Sequence, residues 1–374
     1  AITPLPPLPP LPPLPPTPDE RQDIARLRAQ VAALKKQLGE VDGEAALARA
    51  ITDARGTMRA EAVPPPAWTV RAERLGDSLG VPILLLTDWH IGETVRAAEV
   101  FGQNAFDAAT ADARVRLAVE RAVALARMHA PAGGHKGGVV FLGGDFVSGW
   151  LHEELTRSDW CSPLQSAAWC VSRLVWALRA LRDAWGRLYV VGVPGNHGRL
   201  THRPPGKGHA FQSFDWLIYT LVAQHVEDSP ADRKTITISV PDDGEQIVAV
   251  AGHRHLLMHG HQLGVKGGDG IIGAIGPIMR GATKVGRQNR SVGRDFDSLV
   301  LGHYHTTLWL PGVVVGPTLK GFDEYARVSR FSYEPAAQLL WFAHPKWGPN
   351  SPLRVFLQDP PAGNGTCAIK GGVG

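Results

Sequence analysis

VPILLLTDWH, residues 81–90, is a short apolar run that stops at an acid and a histidine two positions apart. A strand covered on both faces reads this way, as continuous apolarity without alternation. The pattern recurs: VVFL precedes GGD at 139–145, and LYVVGV precedes PGNHG at 188–198. Between these strands, residues 107–129 and 163–185 have helical periodicity, the second opened by Ser162-Pro163-Leu164-Gln165, a capping box. Further on come TITISV, IVAVA, HLLMHG, DSLVLGH, TTLWL, AAQLLWF and LRVFL, mostly hairpin-like, with one helical insert near 270–288. Two packed sheets with helices outside would bury all of these segments.

Loops just past buried strands are where an α/β sheet places its ligands. Read in order they carry Asp88-Trp89-His90, Gly144-Asp145, Gly195-Asn196-His197, His259-Gly260 and Gly302-His303-Tyr304-His305. A pair of divalent cations about 3.5–4 Å apart needs a bridging carboxylate with imidazole, carboxylate and amide-oxygen ligands. The series supplies that set. One ambiguity arises at 252–262, GHRHLLMHGHQ, where four histidines crowd together and GHRH duplicates the later GHYH of 302–305.

The series resembles the calcineurin-like metallophosphoesterases, whose signature runs DxH, GD, GNH, HG and GHxH in this order, over roughly residues 81–345. The wording TDWHIGE, LGGDFVSGWLHEEL, PGNHGRLT and GPTLKGFDEYA is most similar to a bacteriophage-borne branch. The resemblance implies an α/β (α+β) fold, a four-layer αββα sandwich of two mixed sheets. It implies that Asp88, His90 and His305 hold one metal, that Asn196, His259 and His303 hold the other, and that Asp145 bridges them. Manganese is the first expectation, with iron, zinc and nickel also accepting such ligands. Only 302–305 follows an HG motif, so GHYH is expected to serve the site, while His253 and His255 fall at a hairpin turn and His261 in a loop. His197 is implied as the catalytic histidine that assists the leaving oxygen while a hydroxide generated on the metals attacks phosphorus. Family members commonly have an acid after this histidine; here it is Gly198, which leaves open what orients the ring.

Basic residues gather in two segments, Arg199, Arg203 and Lys207 after GNHG, and Arg280, Lys284, Arg287, Arg290 and Arg294 before GHYH. Arg280, Lys284 and Arg287 have helical spacing and share a face. A substrate polyanion would explain Arg199, Arg280, Lys284 and Arg287 as contacts; a solvated helix face and loop is the bland alternative. The expected activity is a phosphodiesterase or nuclease on nucleic acid. A phosphomonoesterase on a nucleotide or phosphoprotein, and a non-catalytic assembly scaffold, are the alternatives.

The 374 residues, 44% hydrophobic and 20% charged, suit a sizeable core, and a net charge of +4 tilts the surface weakly toward polyanions. Cys161, Cys170 and Cys367 form no CxxC pair, so neither a disulfide framework nor a thiolate zinc site is expected. No apolar run reaches a membrane span and no signal-peptide order is present, so a cytoplasmic protein is expected, in the host cytoplasm if the gene is phage-borne. Residues 1–18 repeat LPP and favour polyproline II. Residues 19–63 read as a helical appendage, capped from Thr17, with Ile24, Leu27, Val31, Leu34 and Leu38 at heptad spacing. That pattern leaves open docking on the parent domain or a homodimer through residues 19–38. The catalytic domain is expected over 68–358, with a flexible tail at 359–374.

Overall fold

The computed structural model describes residues 63–70, 79–151, 155–201, 206–208, 210–240, 242–263 and 275–359. The expectations for the LPP repeat, the heptad helix, Arg203 and the tail beyond 359 lie outside the described residues.

Six strands form the first sheet: β1 (Val81–Leu86), β2 (Gly138–Leu142), β3 (Leu188–Gly192), β4 (Ile236–Ser239), β10 (Ala337–His344) and β11 (Gly348–Phe356), in the order β11-β10-β1-β2-β3-β4. Neighbours from β1 to β4 run parallel, while β10 pairs antiparallel with both β1 and β11. The second sheet has β5 (Glu245–Val250), β6 (His253–Met258), β7 (Ser298–Leu301), β8 (Leu308–Leu310) and β9 (Val313–Val315), ordered β5-β6-β7-β9-β8. There β6, β7 and β9 are parallel neighbours, and β5 and β8 add antiparallel edges. Both sheets are mixed.

Side-chain alternation builds the layers. Ile83, Leu85, Val139, Phe141 and Val191 meet Val248, Val250, Leu257, Val300 and Val314 from the opposing sheet in one buried core. The other face of the second sheet, with Leu256, Met258, Leu299, Leu301, Val313 and Val315, packs on Ile278 and Val285. Those two residues belong to a helix over Ile275–Ser291. On the outer side of the first sheet lie α1 (Ala108–Met128), α2 (Pro163–Trp185) and α3 (Phe214–Asp228), and the Ile275–Ser291 helix is α4. A Cβ on Gly138 or Gly192 would strike Trp185 of α2 or Tyr219 of α3, so these strand glycines set how closely the helices approach. The result is helix, sheet, sheet, helix, the four-layer sandwich that the order of motifs implied.

Three elements depart from the sequence reading. TITISV is no hairpin strand; it enters the first sheet as β4, parallel to β3, after α3, a helix the periodicity did not reveal. HLLMHG and DSLVLGH are parallel partners joined by a crossover through α4. The β5–β6 turn is Ala251-Gly252, both at positive φ (51° and 84°), so His253 and His255 already belong to β6.

This topology places the site. Parallel β1, β2 and β3 end at one edge of their sheet, so the loops beginning at Thr87, Gly143 and Val193 are neighbours. Backbone bonds continue past the strands, from Gly143 N–H to Leu86 O, Asp88 N–H to Gly144 O and His90 N–H to Asp145 O (2.8, 3.0 and 3.0 Å). In the second sheet β6 and β7 end together, and Gly302 N–H bonds to His259 O at 2.8 Å.

Candidate metal centre

Among the described residues two groups of side chains converge ligand atoms as a metal site would: Asp88, His90 and His305, and Asp145, His259 and His303. Each group joins the two sheets. The join is tight: His303 N–H donates to the Asp88 carboxylate at 3.0 and 3.2 Å, and His259 Nδ1 donates to Gly143 O at 2.7 Å. A Cβ at Gly302 would collide with Thr87 Oγ1 and Asp88 Oδ2, and one at Gly144 with the backbone of Gly195. The glycines of GHYH and GGD are thus steric requirements of bringing the loops together.

Asp88, His90, Asp145, His303 and His305 all sit at positive φ, between 50° and 67°. That region disfavours side chains with a Cβ, at a cost of roughly 1–2 kcal/mol each, somewhat less for Asp. Strained backbone gathered on the ligand loops is the pattern of a functional site held in place by its surroundings.

The protonation pattern shows what the clusters fit. His259 uses Nδ1–H on a carbonyl, so in its neutral form Nε2 carries a lone pair. That nitrogen faces Asp145 Oδ2 at 2.9 Å and Asn196 Oδ1 at 3.2 Å, and Asp145 Oδ2 accepts no well-formed hydrogen bond. Three electron pairs therefore point at one another. Only a cation relieves that arrangement: a proton, or a metal ion. The metal-free protein uses the proton; burial opposes it, but the Asp145 carboxylate outweighs burial and raises the His259 pKa to about 9. The other cluster repeats the theme, with Nε2 of His90 and of His305 3.0 Å apart and Asp88 Oδ1 3.3 Å from the latter. Burial lowers the His90 pKa to about 4, with Lys320 adding to the effect. The remaining carboxylate oxygens are held: Thr87 Oγ1 donates to Asp88 Oδ2 (2.6 Å) and His197 N–H to Asp145 Oδ1 (2.7 Å). One oxygen of each is fixed while the other faces its cluster. Two sets of N and O donors, each with two buried members and one partly buried histidine and without thiolate, suit two divalent cations of the manganese, iron, zinc or nickel kind.

His197 lies beside the first cluster, its ring edge-on to His90 with centroids 4.6 Å apart. Its Nδ1 donates to Ser148 O at 3.0 Å, so a backbone carbonyl orients the ring where Gly198 cannot. Burial holds its pKa below the ordinary value, partly opposed by Asp145. Asn196 contributes its amide oxygen beside His259. Arg199 braces the same loop, its guanidinium donating to Asn196 O at 2.7 Å and Thr201 O at 3.0 Å. Arg280, Lys284 and Arg287 are exposed together on one face of α4 and belong to neither cluster, and Lys207 is exposed.

The rival GHRH motif stands apart from both clusters. His255 is buried, its Nδ1 2.7 Å from Ser298 Oγ on β7 and its ring against Phe141, and burial lowers its pKa to about 4. His261 sits in a short helical turn, its ring 5.5 Å from that of His259. A direct comparison follows. His305→Ala should lose one of two Mn²⁺ equivalents in metal analysis of the purified protein. His255→Ala should keep both while lowering Tm, because it opens a cavity and strands a buried hydroxyl. The reverse ranking would make GHRH the ligand motif.

Several residues that organise the site carry no motif. Asp215 in the first turn of α3 is fully buried; Oδ2 accepts from Asp145 N–H (3.0 Å) and Gly195 N–H (2.8 Å), and Oδ1 from Phe146 N–H (3.0 Å). One carboxylate thereby clamps the GGD and GNHG loops, although burial, aided by Asp145, raises its pKa to about 6. Asp215→Asn presents an amide N–H₂ to one of those donors. It should cost about 1–3 kcal/mol in urea unfolding and weaken metal binding; unchanged stability and metal content would refute the clamp. Gln338 of β10 accepts from Thr87 N–H (2.9 Å) and donates to Thr87 O (3.1 Å), anchoring the start of the DWH loop. Buried Lys320 bonds Glu93 and Asp323 behind His90.

No protein-family model matches the chain, and no curated protein matches it. Fold and site therefore define the class by themselves: an αββα sandwich with two Asp/His clusters at the sheet ends is a metallo-dependent phosphoesterase-like fold. Among the described residues no helix is long and apolar enough to cross a membrane.

Proposed function

We propose that the protein is a binuclear metal-dependent phosphodiesterase acting on nucleic acid, of the bacteriophage-borne kind its motif wording resembles. The facing lone pairs of His259, Asp145 and Asn196, matched by those of His90, His305 and Asp88, carry the reading, since two such sets call for two cations. Asp88, His90 and His305 hold the first, Asn196, His259 and His303 the second, and Asp145 serves both. Two divalent ions bound there would supply an activated water and offset charge developing on the phosphate oxygens. The chain's own residues do the rest. The strained loops and their interlocking backbone bonds fix the ligands before substrate arrives, so little reorganisation accompanies the reaction. His197, tethered through Nδ1–H to Ser148 O, would pass a proton from Nε2 to the leaving oxygen only as the imidazolium, with both ring nitrogens protonated, and would return to the neutral ring in doing so.

Exposed Arg280, Lys284 and Arg287 support a polyanionic substrate, because among the described residues none of them pairs with an acid, while neighbouring Arg290 and Arg294 pair with Asp295 (3.4 Å) and Glu245 (3.1 Å). The test is Mn²⁺ stoichiometry together with hydrolysis of a bis-aryl phosphodiester, then of single-stranded, duplex and nicked nucleic acids. Two equivalents and diester turnover are expected. Turnover of monoesters alone would reassign the protein as a phosphomonoesterase, and metal binding without any turnover would leave a scaffold.

A further inference from the structure

We propose that Glu93 is a positioning residue that sets the imidazoles of His90 and His197 together, through its carboxylate on one side and the Ser148 hydroxyl on the other. The inference rests on the metal-centre reading above. His90 turns Nε2 toward the first cluster, so the ring proton falls on Nδ1, which is buried and makes no hydrogen bond. Glu93 Oε2 lies 4.0 Å from that nitrogen. At that distance the carboxylate acts on the imidazole through its field and not through a hydrogen bond, favouring the proton on Nδ1 and so the lone pair on Nε2.

The same oxygen accepts from Ser148 Oγ at 3.1 Å, and the carbonyl of Ser148 is the acceptor for His197 Nδ1 at 3.0 Å. Ser148 is held from a third direction by its N–H on Ile91 O at 3.0 Å. Glu93 therefore sits at the junction of two short paths, one to a ligand of the first cluster and one to the proton-transfer histidine. It substitutes at a distance for the acid that Gly198 does not supply.

Glu93 is itself held. Lys320 Nζ reaches both of its oxygens at 2.9 and 3.0 Å and Asp323 Oδ2 at 2.5 Å. All three groups are buried, and two carboxylates against one ammonium leave one negative charge uncompensated. A buried excess charge is costly unless a counterion stands near. The first cluster, on the other side of His90, is where a cation would provide it. The negative field is felt nearby: half-buried Asp159 has its pKa raised to about 7, first by burial and then by Glu93.

The experiment titrates metal-stripped, full-length protein with Mn²⁺ and follows the His197 Nδ1 proton by NMR in ¹⁵N-histidine-labelled protein. Glu93→Gln keeps shape but removes charge; it should weaken one of two Mn²⁺ sites by about 10–100-fold and speed exchange of the His197 proton. Asp323→Asn removes the same unit of charge from the triad while remaining a competent helix cap and leaving Glu93 in place beside His90 and Ser148; it should weaken Mn²⁺ binding less than Glu93→Gln does and leave exchange of the His197 proton at the parent's rate. Parent affinities in Glu93→Gln, or equal weakening in Asp323→Asn, would overturn the assignment. If Glu93→Gln does not fold, Ser148→Ala decides: faster His197 proton exchange with both Mn²⁺ sites intact supports the relay, and unchanged exchange overturns it. A parent that binds two Mn²⁺ yet cleaves no phosphoester would remove the hydrolase reading and leave the positioning role standing on affinity alone.

Discussion

Asp145→Asn is expected to fold, to lose metal from both clusters and to lower diester hydrolysis by at least about 10³-fold. The substitution is chosen for what it keeps. Its Oδ1 can still accept the His197 N–H that Asp145 holds at 2.7 Å, and asparagine tolerates the left-handed backbone found there, φ 54°. Its amide nitrogen replaces the oxygen that faces His259 Nε2 at 2.9 Å, converting two opposed lone pairs into a donor and an acceptor. The cluster is then satisfied without a cation. The metal-free variant should be somewhat less stable than the metal-free parent at neutral pH, because the ion pair of Asp145 with protonated His259 is exchanged for a neutral hydrogen bond. What should disappear is the rise in Tm that Mn²⁺ gives the parent, since only a ligand bound by the folded state stabilises it. Residual Mn²⁺-dependent stabilisation at one site would mean that Asp145 serves a single ion. Full activity in the variant would remove the metal assignment altogether.

The residues on which that prediction turns were legible because each chemical group sits where a buried strand ends. VPILLL, VVFL and LYVVGV are continuous apolar runs, and the polar residue after each had to lie at a sheet edge. The clamp beneath them was not legible. Asp215 lies in FDWLIYTLV, a stretch so apolar that no helical stripe stands out, and an acid in a helix's first turn has an ordinary reading as a dipole partner. The same uniform apolarity hid α3, and without α3 the strand after it looked like part of a hairpin. Glu93 and Lys320 were hidden differently: both fall inside stretches that carry the resemblance, TDWHIGE and GPTLKGFDEYA, but they are 227 positions apart, and no sequence spacing pairs them. Long-range buried ion pairs leave no local signature, whereas strand-end ligands do.

That difference also explains how the site is divided between the sheets. The first sheet supplies Asp88, His90, Asp145 and Asn196 from parallel strand ends, the second supplies His259, His303 and His305, and each cluster draws on both. A loss of packing between the sheets is therefore a loss of metal geometry. The core residues Phe141 and Trp341 lie in that interface and so help to hold the two halves of each cluster in register.

Replacing Arg280, Lys284 and Arg287 together with alanine should separate binding from chemistry. All three side chains are exposed on the face of α4 opposite Ile278, Gly281 and Val285, which pack inward, so the variant keeps its core contacts. Alanine is also the strongest helix former, and the helix itself should persist. If each of the three cations neutralises one phosphate, the slope of log K against log salt should flatten by about two to three units, at 0.7–0.9 per contact. Between 50 and 200 mM salt, the parent's advantage over the variant should then shrink by roughly 15–40-fold. The bis-aryl diester carries a single phosphate and no polyanionic chain for that helix face to hold, so its kcat and KM should stay near the parent's values. Arg290→Ala is the internal control: its guanidinium already has Asp295 at 3.4 Å, and the slope should change little. A triple variant with the parent's nucleic-acid affinity and salt slope would make this face of α4 a solvated surface. Charge would then no longer favour a nucleic acid over a compact phosphate ester, and the choice of substrate would pass to the shape of the clusters' immediate surroundings.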